Sequence, residues 1–431
     1  MKTLLQKILK ILAKAILAKY RPEIIGITGS VGKTSAKEAI YRVLASAKFK
    51  VRQNINNYNN EIGLPLTIIG AASPLNSPLG WLKVLFLAVN LLLKNDRTYP
   101  KILVLEMAAD KPGDLNYLTD IAHCDIAVIT SIGDSHLEFF KTLDNLKIEK
   151  ATLIRKLSKS GWAVLNIDDD NVKATIKETE ARVFTYGINN EVDLGGREIR
   201  IKFSSAEKEK DGFGLTFKLI RGGSFAPVFL PDIISHSGVY AALAGAAVGI
   251  IKGLNLVDIS RALKKLSSPK GRMKVLAGIK NTFIIDDTYN SSPLSSVSAL
   301  AALGGLTVSD QTYKYAILGD MQELGAASVA GHEAVGRAVV KNKVNILIVV
   351  GERSRDIARG AKAAGMKPDN IFHFAAPEEA GKFVKERIKT GDIVLVKGSQ
   401  AMRLEKIVKE IMAEPLRASE LLVRQGREWE K

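Results

Sequence analysis

The stretch "GITGSVGKTSAKEAI", residues 26–40, places two glycines, a lysine and a threonine between an apolar run and a helical pattern. The preceding "EIIGIT" predicts a short buried strand, and the residues after the loop recur on one helical face: Ala36, Ala39, Ile40, Val43 and Leu44. Such a loop turns backbone N–H groups inward at the positive end of a helix dipole. It therefore favours a polyanion such as a phosphate chain, with Lys33 reaching the outer phosphates and the Thr34 hydroxyl binding magnesium.

The loop departs from the full phosphate-loop pattern in one place. That pattern has a glycine five positions before the Gly-Lys pair, where this chain has Ile27, so the loop is the shorter "GSVGKT" of residues 29–34. The alternative is a glycine-rich turn with a solvated lysine. The strand before the loop and the helix after it favour phosphate binding.

Composition narrows the class of protein. The chain has 431 residues, 46% of them hydrophobic and 25% charged, which predicts two or three soluble globular domains. Its single cysteine, Cys124, excludes an internal disulfide framework and fits a reducing cytoplasm. The net charge of +17, from 62 Lys and Arg against 45 Asp and Glu, predicts attraction to nucleic acid, anionic lipid or phosphorylated small molecules. With aromatics at 6% and no basic stretch interleaved with them, nucleic acid is the least favoured.

Two apolar segments lie near the N-terminus. Residues 1–22 predict an amphipathic helix with five lysines, too interrupted by charge to span a bilayer and without a small-residue cleavage site. That helix either packs on its own domain or lies on an anionic membrane surface, and the sequence leaves both open. "LGWLKVLFLAVNLLL", residues 79–93, is also too short to span, and we expect a buried helix there.

From residue 23 onward, short apolar strands alternate with helical segments, which is typical of parallel sheets with helices on their faces. We expect strands at "KILVLEM" (101–107), "CDIAVIT" (124–130) and "GWAVLNID" (161–168), and an antiparallel hairpin in residues 191–230. Ser, Pro and Gly cluster at 267–272, which indicates a boundary before a second series, "TFIIDD", "KYAILGD", "ILIVVG" and "DIVLVKG". The predicted organisation is a helix (1–22), a central phosphate-loop ATPase domain with a parallel sheet (23–268) and a C-terminal Rossmann-like α/β domain (269–431).

Polar side chains at two strand ends are candidate ligands. Glu106 closes the apolar run "ILVLE", and His136 follows the strand that ends near Thr130. Ligands collect at the carboxyl ends of strands in open α/β sheets, so both side chains are candidates for magnesium beside the loop. The alternatives are a capping or solvated glutamate and a structural histidine.

Several motifs together resemble the Mur ligases of cell-wall precursor synthesis. "TGSVGKTS" resembles that family's phosphate loop, which lacks the early glycine in the same way. The order and spacing of further motifs resemble in particular the members that add D-alanyl-D-alanine to UDP-muramoyl tripeptide: "NINNYNNEIGLPLTI" (54–68), "DDTYNSSP" (286–293), "ILGDMQELG" (317–325) and "LVKGSQAMRLE" (395–405). The resemblance covers nearly the whole chain from Glu23, but residues 1–22 do not match the UDP-binding domain usual in the family.

The resemblance implies a set of site residues. ATP would be held by Gly29, Ser30, Gly32, Lys33, Thr34 and Ser35, and from the C-terminal domain by Arg272 and Asp287. Two Mg²⁺ ions would be held by Thr34, Glu106, His136 and Lys150, the last as a carbamate formed with carbon dioxide. Lys33, Glu106, His136 and Lys150 would be catalytic, and the substrate would contact Asn59, Asn60, Asn290 and His332. From the pattern alone, Lys150 is a solvated helix residue, Asn59 and Asn60 form a turn, and His332 caps or packs a helix.

The implied activity is ATP-dependent formation of a peptide bond through an acyl phosphate. The partners are small molecules, a peptide-bearing cell-wall precursor and a dipeptide, and we expect a cytoplasmic monomer with peripheral membrane contact through the N-terminal helix. One alternative keeps the ligase chemistry with a lipid-carried or other acceptor lacking UDP. Another is a nucleotide-dependent binding module that does not ligate. Three features differ from the family's usual residues. "SHSGVY" differs where the family contacts adenine, and Ser292 and Gln400 differ at positions that bear on substrate specificity.

Overall fold

Parallel strands with helices between them run through both halves of the chain. The computed structural model describes residues 2–55, 58–133, 137–202, 214–306, 311–426 and 429. Within those ranges the strands form a nine-stranded sheet in residues 23–231 and a six-stranded sheet in residues 274–397. The predicted α/β class with parallel sheets is confirmed.

The loop of residues 29–32 follows an interior strand of the first sheet. The strands of this sheet are β1 (Glu23–Thr28), β2 (Val51–Gln53), β3 (Ile102–Glu106), β4 (Ile126–Ile129), β5 (Trp162–Asn166), β6 (Arg182–Gly187), β7 (Leu194–Lys202), β8 (Gly214–Arg221) and β9 (Ser224–Pro231). Their order is β2-β3-β1-β4-β5-β6-β7-β8-β9, antiparallel only from β7 to β9. Ile27 pairs with Glu106, and Thr28 pairs with Ile129. This register brings the carboxyl ends of β1, β3 and β4 to one edge.

Helices cover both faces of the first sheet. They are α1 (Lys2–Tyr20), α2 (Lys33–Ser46), α3 (Gly63–Ile69), α4 (Pro78–Leu93), α5 (Asp114–Ile121), α6 (Leu137–Phe140), α7 (Leu143–Arg155), α8 (Asp170–Lys173), α9 (His236–Ile251) and α10 (Leu256–Leu263). The small residues of α9 let it approach α2 closely: a Cβ on Gly245 would lie 2.9 Å from the Ala39 carbonyl carbon. This packing holds the middle of α2 against α9.

The two N-terminal apolar segments form neighbouring surface helices. In α1, Leu9, Ala13 and Ile16 are fully buried against the first sheet's helices, so the helix packs on its own domain. The prediction that residues 79–93 form a buried helix is wrong in part, because α4 buries one face and leaves Phe86 and Leu93 75% and 81% exposed. The antiparallel pairing of β7 with β8 is confirmed, while the charged segment between them, 203–213, lies outside the described residues.

The second sheet carries the C-terminal motifs. Its strands are β10 (Lys274–Gly278), β11 (Thr282–Asp287), β12 (Lys314–Gly319), β13 (Ile346–Val350), β14 (Ile371–Phe374) and β15 (Ile393–Lys397), in the order β10-β11-β15-β12-β13-β14. β10 runs antiparallel to β11, and the other neighbours are parallel. The helices are α11 (Pro293–Gly304), α12 (Ser328–Lys341), α13 (Arg355–Ala363), α14 (Pro377–Arg387), α15 (Glu405–Ile411) and α16 (Ala418–Leu421).

Candidate active site

The glycine loop adopts a conformation that only glycine accommodates easily. Gly29 has φ +150°, Gly32 has φ +89°, and a Cβ on Gly29 would collide with the Thr130 hydroxyl. Ser131 anchors the loop, accepting from Ser30 N at 2.8 Å and, through its Oγ, from Val31 N at 3.0 Å. Gly32 begins α2 without a side-chain cap, so the first-turn amides of α2 are available to an anion.

Lys33 lies over this loop. Its ammonium donates to the carbonyl oxygen of Gly29 at 2.6 Å and to that of Ser30 at 3.4 Å. Burial lowers the pKa of Lys33, and the charge of Arg272 lowers it further, while Glu106 acts in the opposite direction. Lys33 and Arg272 thus place two basic side chains near the edge where the three strands end, and a bound phosphate chain would favour their charged forms.

Glu106 is the carboxylate of this edge. Its side chain is 2% to 3% exposed, and Oε2 accepts from the Thr34 hydroxyl at 3.0 Å. The same oxygen lies 3.8 Å from the Lys37 amine, and Oε1 accepts from Asn59 Nδ2 at 3.1 Å. Asn54 holds the Glu106 backbone, donating to its carbonyl at 2.9 Å and accepting from its amide at 2.7 Å. A buried carboxylate is thus fixed against the hydroxyl that follows the loop lysine.

Lys150 lies on the buried face of α7. Its side chain is 1% exposed, and no hydrogen bond or ion pair joins its amine to another described residue. Burial lowers the pKa of Lys150 well below its ordinary value, and the nearby charge of Lys33 adds to this effect. The interpretation of Lys150 as a solvated helix residue is wrong. It lies within the electrostatic reach of the loop.

The predicted magnesium ligands lie partly within the described residues. His136 lies outside the described residues, and within the described ranges the structure contains no group of three or more His, Cys, Asp or Glu able to hold a metal. The Thr34 hydroxyl and the Glu106 carboxylate are nevertheless adjacent hard oxygen donors, of the kind that Mg²⁺ prefers. These residues therefore fit a magnesium ion beside the loop.

A cavity of about 960 Å³ separates the two sheets beside this site. The first lobe contributes Thr34, Lys37 and Asn54, and the second contributes Arg272 and Tyr289, whose ring centroid lies 4.0 Å from the Arg272 guanidinium. The charge of Arg272 acts on both Lys33 and Lys37. The arginine from the second lobe therefore faces the glycine loop across the cavity.

The other predicted C-terminal residues take different places. The Asp287 carboxylate is buried, paired with the Lys397 amine at 2.7 Å and accepting from Met273 N at 3.1 Å, and it does not line the cavity. Asn290 is exposed, and its carbonyl accepts from Lys397 at 2.9 Å. In this conformation Asp287 organises the loop after β11 instead of facing the cavity.

Two predicted substrate residues have structural roles instead. His332 is fully buried: its Nε2 accepts from Met321 N at 3.0 Å, and its Nδ1 lies 2.7 Å from the Ser328 carbonyl. Both ring nitrogens of His332 therefore have partners inside the protein. His332 packs the interior of the second lobe and does not contact substrate, contrary to the prediction. The Asn60 side chain accepts from Ile62 N at 3.2 Å and Gly63 N at 2.9 Å, so it closes the turn that leads into α3.

Sequence reasoning missed the C-terminal tail. Arg424 and Trp429 line the cavity, and Arg424 is tied to the fully buried Glu405 at 2.9 Å and to the Tyr289 carbonyl at 3.2 Å. No motif or periodicity marks these residues. Lys37 and Asn54 were also missed, although both lie inside quoted motifs, because their spacing carries no sign that they converge on Glu106.

The fold and the site together define a class: a two-lobed α/β enzyme whose glycine loop opens a helix at the carboxyl edge of a parallel sheet. Comparison with known proteins gives the family. The family model of the Mur ligase middle domain matches residues 27–73 and 86–248, and the model of the Mur ligase glutamate ligase domain matches residues 271–400. The chain belongs to the Mur ligase family, whose members are ATP-dependent ligases.

Named relatives share most of the chain. The UDP-N-acetylmuramoyl-tripeptide–D-alanyl-D-alanine ligase of Bacillus subtilis (strain 168) is 30% identical over 407 residues, covering 94% of this chain and 79% of that protein. The ligase of the same name from Mycobacterium leprae (strain TN) is 30% identical over 417 residues, covering 91% and 74%. The crystal structure of a MurF ligase from Thermotoga maritima in complex with ADP has a TM-score of 0.76 at 27% identity, covering 94% and 83%.

Proposed function

We propose that this protein is an ATP-dependent ligase that joins D-alanyl-D-alanine to a UDP-muramoyl tripeptide. The observation that carries the chemistry is the Glu106 carboxylate held 3.0 Å from the Thr34 hydroxyl, beside a glycine loop that faces Arg272 of the second lobe. The names of the relatives support the choice of substrates, since the similarity extends over both lobes.

The reaction proceeds in two steps. A carboxylate oxygen of the tripeptide attacks the γ-phosphorus of ATP, and the bond to the bridging oxygen breaks to release ADP and leave an acyl phosphate. The dipeptide amine then attacks the acyl carbon, loses a proton and expels inorganic phosphate as the amide forms. The loop amides and Lys33 hold the phosphates in line, and Arg272 neutralises charge from the other lobe.

Mg²⁺ and the carbamate belong to this proposal. Thr34, Glu106, His136 and a carbamylated Lys150 would hold two Mg²⁺ ions, and these ions would withdraw charge from the phosphate oxygens. Support for the carbamate comes from burial of Lys150 and its lowered pKa, because only the neutral amine attacks carbon dioxide. Labelled carbon dioxide gives a test independent of activity: a carbamate ¹³C resonance should be present in the wild type and absent from Lys150→Met.

The organisation that we propose has three parts: the helix (1–22), the central ATP-binding domain (23–268) and the C-terminal domain (269–431). Support comes from the two sheets, which end and begin on either side of residues 267–272. The enzyme works as a monomer in the cytoplasm on small-molecule substrates. Light scattering coupled to size-exclusion chromatography measures the mass directly, and a stable dimer would contradict the monomer.

Phosphate release tests the function. We expect release from ATP only when UDP-muramoyl tripeptide and D-alanyl-D-alanine are both present, with the amide product detected by mass spectrometry. Release that requires a different, lipid-carried acceptor would replace the substrate but keep the chemistry. Slow release indifferent to either compound would indicate a non-ligating module and would contradict the proposal.

A further inference from the structure

Helices α1 and α4 share an apolar surface that the ligase chemistry does not use. We call it the α1–α4 face and define it by six exposed side chains: Leu4, Ile11, Leu79, Leu82, Phe86 and Leu93. Each of the six is more than half exposed. Single exposed apolar side chains are ordinary on proteins, but a contiguous group of large ones marks an interaction surface.

The exposed stripe of α4 has helical spacing. Val84, Ala88 and Leu91 are buried against the protein, whereas Leu79, Leu82, Phe86 and Leu93 lie on the opposite side at intervals of three, four and seven residues. A surface helix of a soluble domain normally carries polar residues on that side. The outer side of α4 is therefore built to contact something apolar.

The α1 part of the face adjoins the α4 part. Lys19 and Tyr20, at the end of α1, both donate to the Leu91 carbonyl at 2.9 Å, which fixes the last turns of the two helices together. On the other flank of α1, Lys10 and Lys14 pair with Asp120 of α5 at 2.7 and 3.3 Å. At 100° per residue, Leu4 and Ile11 fall between these two flanks and face outward beside α4.

The charge around the face is entirely positive within the two helices. Helix α1 contains five lysines and α4 contains one, and neither sequence contains Asp or Glu. Lys7 and Lys83 are exposed beside the apolar stripe. Of the carboxylates that border α1, Asp120 is paired with two of the lysines, and Glu61 accepts from Gln6 at 3.0 Å. A second copy of the chain would set like charges against each other, whereas an anionic surface complements them.

We propose that the α1–α4 face docks on an anionic lipid bilayer. Apolar side chains on one side and lysines beside them are the pattern of a helix that lies in the headgroup region, where Phe and Leu enter the acyl boundary and Lys meets the phosphates. No described helix is long and apolar enough to cross a membrane, so the contact is interfacial. This inference is independent of the proposed ligase activity and can fail or succeed without it.

Co-sedimentation with vesicles tests the proposal. We expect the full chain to bind phosphatidylcholine vesicles that contain about 30% phosphatidylglycerol, to bind pure phosphatidylcholine much more weakly, and to be released by salt. The variant Leu82→Gln/Phe86→Gln should bind at least about tenfold more weakly, since both side chains are exposed and their loss leaves the core intact. Lys7→Gln/Lys83→Gln should lose about fivefold per lysine.

Matched control variants distinguish binding through the α1–α4 face from nonspecific hydrophobic or electrostatic binding. Val257→Gln/Leu416→Gln removes two exposed apolar side chains elsewhere, and Lys362→Gln/Lys367→Gln removes two exposed lysines. Both should bind as the wild type does, and circular dichroism should show that every variant is folded. Absence of vesicle binding, or equal binding by face and control variants, would overturn the proposal. So would a lipid-free dimer that Leu82→Gln/Phe86→Gln dissociates, because it would assign the face to a second copy.

Discussion

At the scale of single residues, the site depends on a buried negative charge beside a hydroxyl. Glu106 has a hydrogen-bond donor on each oxygen, Thr34 on one and Asn59 on the other, and Lys37 lies 3.8 Å away. Desolvating a carboxylate is expensive unless it is paired and hydrogen-bonded. The surroundings of Glu106 offset that penalty, which keeps an anionic oxygen donor in place next to the loop.

Glu106→Gln removes that charge with almost no change of shape. We expect phosphate release to fall by about 10²–10³-fold, because the amide can still contact Thr34 but supplies no anionic ligand. Glu352→Gln, at an exposed glutamate of the second lobe, is the control and should be unaffected. Near-wild-type turnover in Glu106→Gln would remove Glu106 from the catalytic site.

Lys150 gives a second prediction. Lys150→Ala should abolish ligation, and short carboxylic acids should restore part of it, because they can occupy the space of the carbamate with an oxygen anion. Lys147→Ala is the matched control: Lys147 is on the same helix and pairs with exposed Asp144 at 3.2 Å. Unchanged ligation in Lys150→Ala would exclude the carbamate from the mechanism.

His332 gives a prediction about stability and pH. Burial lowers the pKa of His332 below 6.5, so folding favours the neutral ring. Its contribution is complete above pH 6.5 and is lost as the pH falls below that value, where the unfolded chain binds the extra proton. His332→Leu should lower the free energy of unfolding by about 1–3 kcal/mol at pH 7.5, because Met321 N loses its acceptor.

Denaturant unfolding of both proteins measures this effect. The difference between the wild type and His332→Leu should shrink as the pH falls below 6.5, and kcat/KM per folded molecule should stay unchanged. A fall in kcat/KM with unchanged stability would return His332 to the substrate-binding role that the sequence suggested.

At the scale of elements, hydrophobic pattern predicted the strands well and the surface helices poorly. Runs such as "ILVLE" and "IVLVK" are buried on both faces of a parallel sheet, so the pattern alone identifies them. The two faces of α4 carry equally apolar residues, and sequence cannot distinguish which of them meets the protein. The pattern alone predicted a solvated Lys150 for a related reason, since a lysine on a helix is usually exposed, and only the family resemblance singled this residue out.

The tail after α15 is an element whose role only the structure reveals. Arg424 reaches back to the buried Glu405 and to the Tyr289 carbonyl, and so connects the tail, α15 and the loop that carries Tyr289. Arg424→Met should lower the free energy of unfolding by about 3 kcal/mol, because Arg403 is then the one ion-pair partner left to Glu405 among the described residues.

Thermal and denaturant unfolding measure this loss of stability, and a surface ion pair at Arg417 serves as the control. Arg417 also binds two glutamates, Glu414 and Glu420, but all three are exposed, so Arg417→Met should leave the free energy of unfolding close to that of the wild type. Equal effects of the two substitutions would show that the tail contributes no more than a surface ion pair does.

At the scale of the whole molecule, the cavity between the two lobes assembles the site. Strand ends and the glycine loop were sufficient to predict two α/β lobes and the proximity of Thr34 to Glu106, and the family resemblance added Arg272. They were insufficient for Asp287, which pairs with Lys397, 110 residues away in sequence and adjacent only through the parallel pairing of β11 with β15. Long-range packing of this kind decides which polar residue faces a ligand, and it leaves no local signature.

The central claim is that a substrate carboxylate becomes an acyl phosphate in this cavity. The most direct test uses UDP-muramoyl tripeptide with ¹⁸O at both oxygens of its terminal carboxylate, together with ATP and D-alanyl-D-alanine. Because the carboxylate oxygen that attacks phosphorus leaves with it when the amide forms, we predict one ¹⁸O atom in each released phosphate. Phosphate that contains no ¹⁸O, whether or not ATP is consumed, would contradict the acyl-phosphate ligase.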